Sequence, residues 1–258
     1  FTQGVALGYG EYWAFSPRCL SFDTPSSYRL PFIYKYKYLL KKQNYMLNIE
    51  TFTCNMLQEN CYVVSDETNE CVIIDCGAYY EAEKLAIEKY ISQNNLKPVH
   101  LIATHGHLDH NFGSPFIAKT YGLPLEIDSS DVAHIKGADK QAAYFGISLT
   151  EPLDMEIKTF TMGSHITFGF HDIEVIETPG HSMGSVVFYI KDEKVAFTGD
   201  TLFRGSIGRT DFEGGSMLMI IQSLRMFVQF PDDIKLLPGH GQSTTMGYEL
   251  AHNAYLDR

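Results

Sequence analysis

The sequence predicts one α/β domain running from about residue 46 onward. Two features predict it: short β-rich runs alternate with stretches of helical spacing, and four turns bearing histidine, aspartate and glycine each follow one of those runs. With 258 residues, 45% of them hydrophobic, the chain can bury a substantial core.

The elements follow in order. NCYVVSD (60–66) and ECVIID (70–75) are β-rich runs joined by a polar turn, which predicts a hairpin. EAEKLAIEKYISQ (81–93) sets Leu85, Ala86, Ile87 and Ile91 among charges at helical spacing, and Pro98 closes the segment off. VHLIAT (99–104) is a buried-type strand that delivers the chain into THGHLDH (104–110). A helix is expected over 113–121, a strand at LPLEI (123–127) and a looser helical stretch over 131–145. Strands are expected at HITFGF (165–170), IEVIET (173–178), SVVFYI (185–190) and KVAFTG (194–199). An apolar helix, MLMIIQSLRMFVQF (217–230), precedes a strand at IKLLPG (234–239) and a final helix at YELAHNAYL (248–256).

Residues 1–45 differ from the rest. They hold the sole tryptophan, Trp13, a dense set of Phe and Tyr, and six basic against two acidic residues, a net +4 that leaves −15 for the remainder. They show neither periodicity, and Met46 stands where regular patterning begins. The expectation is an atypical N-terminal extension upstream of a natural start at Met46.

A formal charge of −11 argues against nucleic acid or anionic membrane as a partner gripped by charge, since phosphate binding needs clustered Lys and Arg. The expected partner is a small-molecule substrate; the oligomeric state stays open. The five cysteines (Cys19, Cys54, Cys61, Cys71, Cys76) are odd in number and contain no CxxC pair, which fits small buried residues in a reducing compartment. No window approaches the ~18 apolar residues of a membrane span, and no cationic start with an apolar run marks a signal peptide. A cytoplasmic location is therefore expected; because the chain opens on Phe1, this covers only the residues given.

THGHLDH carries the chemistry. Alternation in an extended segment projects His105 and His107 to one side, Asp109 continues the alternation and His110 follows. Imidazole and carboxylate are the standard ligands of zinc and non-haem iron. Gly106 is expected to let the backbone bend closely around an ion. Three further turns offer His181 (in TPGHSMGS, 178–185), Asp200 (in FTGD, 197–200) and His240 (in LLPGHG, 236–241). Each follows a β-rich run, the place where open α/β sheets carry their sites.

In this order, THGHLDH, GHSMGS, TGDTLF and PGHG resemble the metallo-β-lactamase fold superfamily, and within it the glyoxalase II (hydroxyacylglutathione hydrolase)-like branch, from Met46 onward. The resemblance implies a four-layer αββα sandwich of two mixed β-sheets flanked by helices, with the site at the sheets' shared edge. It implies that His105, His107 and His181 hold one metal, that Asp109, His110 and His240 hold a second, and that Asp200 bridges them. Two divalent ions are implied, zinc first, with iron or manganese acceptable to the same ligands. The implied chemistry is hydrolysis: a hydroxide generated at the metals attacks a carbonyl, and Asp109 also orients the nucleophile. Asp75, in IIDCG, matches an aspartate that supports the metal loop through hydrogen bonds.

Within the superfamily, the main-class metallo-β-lactamases place a cysteine where this chain has Asp200, and no cysteine lies beyond residue 76; β-lactam hydrolysis is not expected as the main activity. RNase Z-like nucleases share the histidine cluster but fit poorly with −15 over the catalytic portion. GRTDF (208–212) resembles persulfide dioxygenases, which bind one iron through positions matching His105, His181 and Asp200; PGHG and His240 instead match the hydrolases. The glutathione-contact segment of glyoxalase II reads like GKFYEG, whereas this chain has GRTDFEG with Arg209 in place of the lysine. Eighteen residues follow His240, fewer than the helical C-terminal domain needs, so the resemblance is to the short single-domain type. The expected function is metal-dependent hydrolysis of a small acyl thioester, against a mono-iron persulfide dioxygenase and a non-catalytic metal-binding module. Arg209 is a candidate for a substrate carboxylate, with a salt bridge to Asp211 as the alternative. Phe203 and Arg204 are candidate pocket walls.

Overall fold

Strands that are apolar at every position have no face to show water, so both faces must be covered. VVFYI comes nearest to this, and ENCYVVS and VAFTG, despite Glu59, Asn60, Ser65 and Thr198, are likewise buried throughout, so two layers of cover follow. The computed structural model describes residues 46–256 apart from Met162; the extension expected over residues 1–45 lies outside these.

One sheet has the order β1 (Asn48–Cys54), β2 (Glu59–Ser65), β3 (Glu70–Ile74), β4 (Lys97–Ile102), β5 (Leu125–Asp128), β6 (Ile157–Phe160), antiparallel as far as β3 and parallel thereafter. The second contains β7 (His165–Phe168), β8 (His171–Glu177), β9 (Val186–Ile190) and β10 (Val195–Gly199), and, beyond a small hairpin of β11 (Leu202–Phe203) and β12 (Ser206–Ile207), is completed by β13 (Lys235–Pro238) and β14 (Thr244–Thr245). Only β10 and β13 pair in parallel there.

Period two sorts the side chains. Tyr62, Val64, Val72, Ile74 and Ile102 of the first sheet pack against Phe168, Val175, Phe188, Ile190 and Phe197 of the second. The alternate residues Val63, Ile73 and Leu101 face outward onto α1 (Glu81–Gln93) and α2 (Ser114–Tyr121) through Ile87, Ile91 and Ile117. After α3 (Val132–Lys136) and α4 (Ala138–Phe145), the other outer layer is α5 (Met217–Phe227) and α6 (Met246–His252), where Ile220, Leu224 and Phe227 cover Val187, Ala196 and Leu236. The layers are αββα, as expected. Cys54, Cys61, Cys71 and Cys76 are buried free thiols within them, and burial pushes the Cys71 thiol up to about 12.

Some elements differ from the sequence reading, each for a local reason. Strands β1 and β6 lie at the sheet's edges and are mostly half-exposed, so their patterns lack an apolar run. The stretch 131–145 is two helices meeting at Gly137. Helix α5 stops at Phe227 rather than 230, short of Pro231, which disfavours helical backbone before it. Helix α6 starts at Met246, where the Thr245 side chain accepts from Tyr248 N–H. Among the described residues no helix is long and apolar enough to cross a membrane.

Both sheets end at one rim, and main-chain bonds tie them there: Val186 N–H donates to Thr104 O at 2.9 Å, and Asn60 N–H to Gly239 O at 2.7 Å. The Tyr62 hydroxyl donates to Pro238 O at 2.6 Å. Phe188 lies at the centre of the inter-sheet layer, edge-to-face with Phe160 at 5.9 Å. Phe188→Ala is expected to lower the unfolding free energy by ~3–5 kcal/mol in urea titration, through lost burial and an unfilled cavity; a loss below about 1 kcal/mol would show that the two sheets do not share one core.

Candidate metal centre

Each sequence-predicted donor reaches the common rim from a strand end: His105, His107, Asp109 and His110 after β4, His181 after β8, Asp200 at β10 and His240 after β13. The structure brings all seven together. The donor atoms of His105, His107 and His181 lie within 4.8 Å of one another, as do those of Asp109, His110 and His240, and those of His105, His110 and Asp200. Asp200 stands between the first two groups: Oδ1 is 3.4 Å from His110 Nε2, and Oδ2 is 3.5 Å from His181 Nε2 and 3.7 Å from His240 Nε2.

The rings are held by their far nitrogens. His181 Nδ1–H donates to Arg209 O at 2.8 Å and His240 Nδ1–H to Leu57 O at 3.1 Å, which turns both Nε2 atoms inward. His105 Nε2, His110 Nε2 and Asp200 Oδ1 are buried with no hydrogen-bond partner among the described residues. Buried acceptors that converge without a donor are costly unless a cation meets them. The donor set therefore fits divalent metal, and the separate groups of donors fit more than one ion.

The charges are lopsided. Burial, with neighbouring His110 and His107, holds the His105 imidazole well below its usual range, and burial with His181 brings His107 down to about 3. At His110 burial also opposes protonation, yet the Asp200 and Asp109 carboxylates overcome it and raise the ring well above the ordinary value. His240 is likewise raised against burial by Asp109 and Asp200. In return, His110 keeps Asp109 and Asp200 ionised below the usual carboxylate range despite burial.

Asp75 is buried and supports the loop: Oδ1 accepts from Thr104 N–H at 2.7 Å, and Oδ2 accepts from Thr104 Oγ1 at 2.7 Å and His110 Nδ1 at 3.2 Å. Its φ of 52° shows the backbone accepting left-handed geometry to point that carboxylate inward. Of the two roles open to Arg209, a substrate carboxylate or a salt bridge to Asp211, the structure forms the second: Nε and Nη2 both donate to the Asp211 carboxylate at 2.7 Å. Two residues' separation at the surface lets the fork close on its neighbour. Phe203 lies beside His240, ring centroids 6.2 Å apart, whereas Arg204 stacks on Tyr248. Gly106 is needed for a different reason from the one expected: a Cβ there would come within 2.6 Å of Asp131 O and 2.7 Å of His134 Cβ.

Two residues were missed. Asp131 is buried and joins the loops: one oxygen accepts from Gly106 N–H at 2.7 Å and the Ser182 hydroxyl at 2.6 Å, the other from Gly184 N–H at 2.7 Å. It therefore fixes the His105–His107 turn against the His181 turn. Glu59 is fully buried behind His110, with no hydrogen-bond partner for either oxygen among the described residues, and burial raises its carboxyl well above the usual range. A glutamate at the head of an apolar strand was its only signal.

With this geometry in view, the comparisons with known proteins are consistent. The metallo-beta-lactamase superfamily profile matches residues 54–240, and the chain belongs to that superfamily. More particularly, it is 33% identical over 213 residues to "Hydroxyacylglutathione hydrolase GloC" of Haemophilus influenzae, spanning 82% of this chain and 99% of that one. The "Hydroxyacylglutathione hydrolase" of Brucella ovis is 31% identical, covering 75% of this chain and 66% of that protein. Among solved structures, TTHA1623 in a di-iron-bound form matches with TM-score 0.72 and 33% identity over 80% of this chain and all of that one. The BLEG-1 B3 metallo-beta-lactamase matches with TM-score 0.71 and 30% identity over 82% of this chain and 99% of that one.

Metal must displace protons from His110 and His240 but finds His105 and His107 already neutral near pH 6, so acid weakens the two donor groups unequally. If Asp109, His110 and His240 hold one ion and His105, His107 and His181 another, dialysis at pH 5.5 is expected to remove the first ion before the second, leaving close to one equivalent by elemental analysis. Parallel loss of all metal would contradict the assignment.

Proposed function

We propose that the protein is a metal-dependent hydrolase of small acyl thioesters, glyoxalase II-like in its chemistry. The observation that carries this reading is the convergence of seven imidazole and carboxylate donors, three of whose inward atoms, His105 Nε2, His110 Nε2 and Asp200 Oδ1, have no hydrogen-bond partner among the described residues. His105, His107 and His181 would hold one ion, Asp109, His110 and His240 a second, with Asp200 shared. Zinc is the first candidate; the di-iron form of a 33% identical protein supports iron as an alternative occupant. Bound divalent ions supply Lewis acidity and an acidified water near neutral pH.

The chain's own residues do the rest. Asp109 Oδ2 lies 3.2 Å from His240 Nε2, leaving its other oxygen to accept a hydrogen bond from the attacking water and orient it. Asp75 and Asp131 keep the donor loops in register. In the net reaction the water oxygen stays on the acyl carbon as carboxylate, the C–S bond breaks, the thiol leaves with one of the water's protons, and the other passes to solvent. His240 close to Asp109 supports two-ion hydrolysis over a mono-iron dioxygenase, which needs only His105, His181 and Asp200. The likeness to a B3 metallo-beta-lactamase makes a β-lactam a necessary control, because lack of a late cysteine separates only one class of those enzymes.

The test is elemental analysis of the purified protein with parallel assays on S-lactoylglutathione, simple acyl thioesters, a β-lactam and glutathione persulfide. Two metals with thioester turnover, both lowered by Asp200→Ala, are expected. One iron with persulfide-dependent oxygen consumption would overturn the reading.

A further inference from the structure

The cleft over the metal centre has two unlike walls. It encloses about 440 Å³, within the range of small-molecule sites, and His107, Asp109, His181, Asp200 and His240 form its polar floor. The apolar wall is made of Met56, Leu57, Phe112, Phe145, Ile147 and Phe212. These come from four separate parts of the chain: the β1–β2 turn, the loop after His110, the end of α4 with the loop beyond it, and the segment after Arg209. Met56, Leu57 and Phe145 are 43%, 49% and 45% exposed. Large apolar side chains gathered from distant segments and left facing a cleft mark a surface that something apolar covers.

Charge narrows what that is. Among the described residues Arg209 is the one Lys or Arg lining this cleft; both of its bonded nitrogens serve Asp211, and its guanidinium carbon lies over Phe212 at 3.6 Å from the ring centroid. Its charge is thus balanced within the protein and its face extends the aromatic wall. Lys140 lines an adjoining depression in company with Asp211 and Glu213. Among the described residues, an acyl group carrying its own carboxylate would meet acidic side chains and no uncommitted Lys or Arg in the cleft, whereas an uncharged hydrocarbon meets a matching surface.

We propose that this wall is an acyl-chain subsite, and that the preferred substrates are thioesters of uncharged, hydrophobic acyl groups, medium-length aliphatic or aryl, with the carbonyl over the metal floor. The inference rests on the hydrolase reading above, and the experiment separates the two. Metal-loaded full-length protein is assayed on N-acetylcysteamine thioesters (acetyl, butyryl, hexanoyl, octanoyl, benzoyl and adipoyl), while the corresponding S-alkyl thioethers, which have no carbonyl to cleave, are titrated by calorimetry.

From acetyl to hexanoyl, kcat/KM is expected to rise about two- to fourfold per methylene, the effect of burying each CH₂, with hexanoyl at least about tenfold above adipoyl, as a carboxylate is left without a partner. Thioether affinity is expected to climb in parallel. Phe145→Ser and Leu57→Ser, both at exposed positions, are expected to compress the hexanoyl-to-acetyl ratio about fivefold or more. Turnover without chain-length preference, matched by flat thioether binding, would overturn the subsite while leaving hydrolysis standing. Chain-dependent binding with no thioester turnover would support the subsite and overturn the hydrolase.

Discussion

Seven donor side chains crowded at one sheet rim, with their acceptor atoms turned toward each other, set the terms for the rest of the molecule. His107 Nδ1 faces His181 Nε2 at 2.8 Å, and Asp200 lies within 3.4 to 3.7 Å of three ring nitrogens. Carboxylates attract His110 and His240, but His105 Nε2, His110 Nε2 and Asp200 Oδ1 lose water by burial and have no hydrogen-bond partner among the described residues; positive charge at the centre offsets that cost. A protein that keeps it folded must fix each donor from behind, because the contacts among the donors leave these three atoms unsatisfied.

The sandwich supplies that fixing. Strands β4, β8, β10 and β13 point their C-terminal ends at one rim, so four short loops reach one place without long excursions. Behind them stands a ring of polar anchors. Asp75 holds Thr104 and His110; Asn111 Nδ2 donates to His105 O and His107 O; Asn55 Nδ2, from the β1–β2 turn, donates to Gly77 O and Asp109 O. Gly239 completes the fit, since a Cβ there would approach Asp200 Oδ1 to 2.4 Å. The strained φ of Asp75 persists because this surrounding network over-determines it.

Much of this was legible in the sequence, and the illegible part has a common cause. Ligands that share a heptapeptide, or that sit in glycine turns after apolar runs, announce themselves locally. Inner strands such as VVFYI do so too, because burial on both faces leaves no polar position. Edge strands β1 and β6 lack that pattern. Asp131 gave no local signal because its partners lie 25, 51 and 53 residues away, and the apolar wall of the cleft is assembled from four segments that are unremarkable one at a time. Arg209 was legible as well: a carboxylate two residues away offered a salt bridge as the alternative to a substrate contact, and the structure forms that pair with Asp211.

That two ions share Asp200 is the central claim, and X-ray absorption at the metal K-edge on the loaded full-length chain tests it most directly. A nitrogen- and oxygen-rich first shell with a metal neighbour at about 3.5–4 Å is predicted. A first shell with no metal neighbour, in protein carrying its full complement of ions, would contradict it.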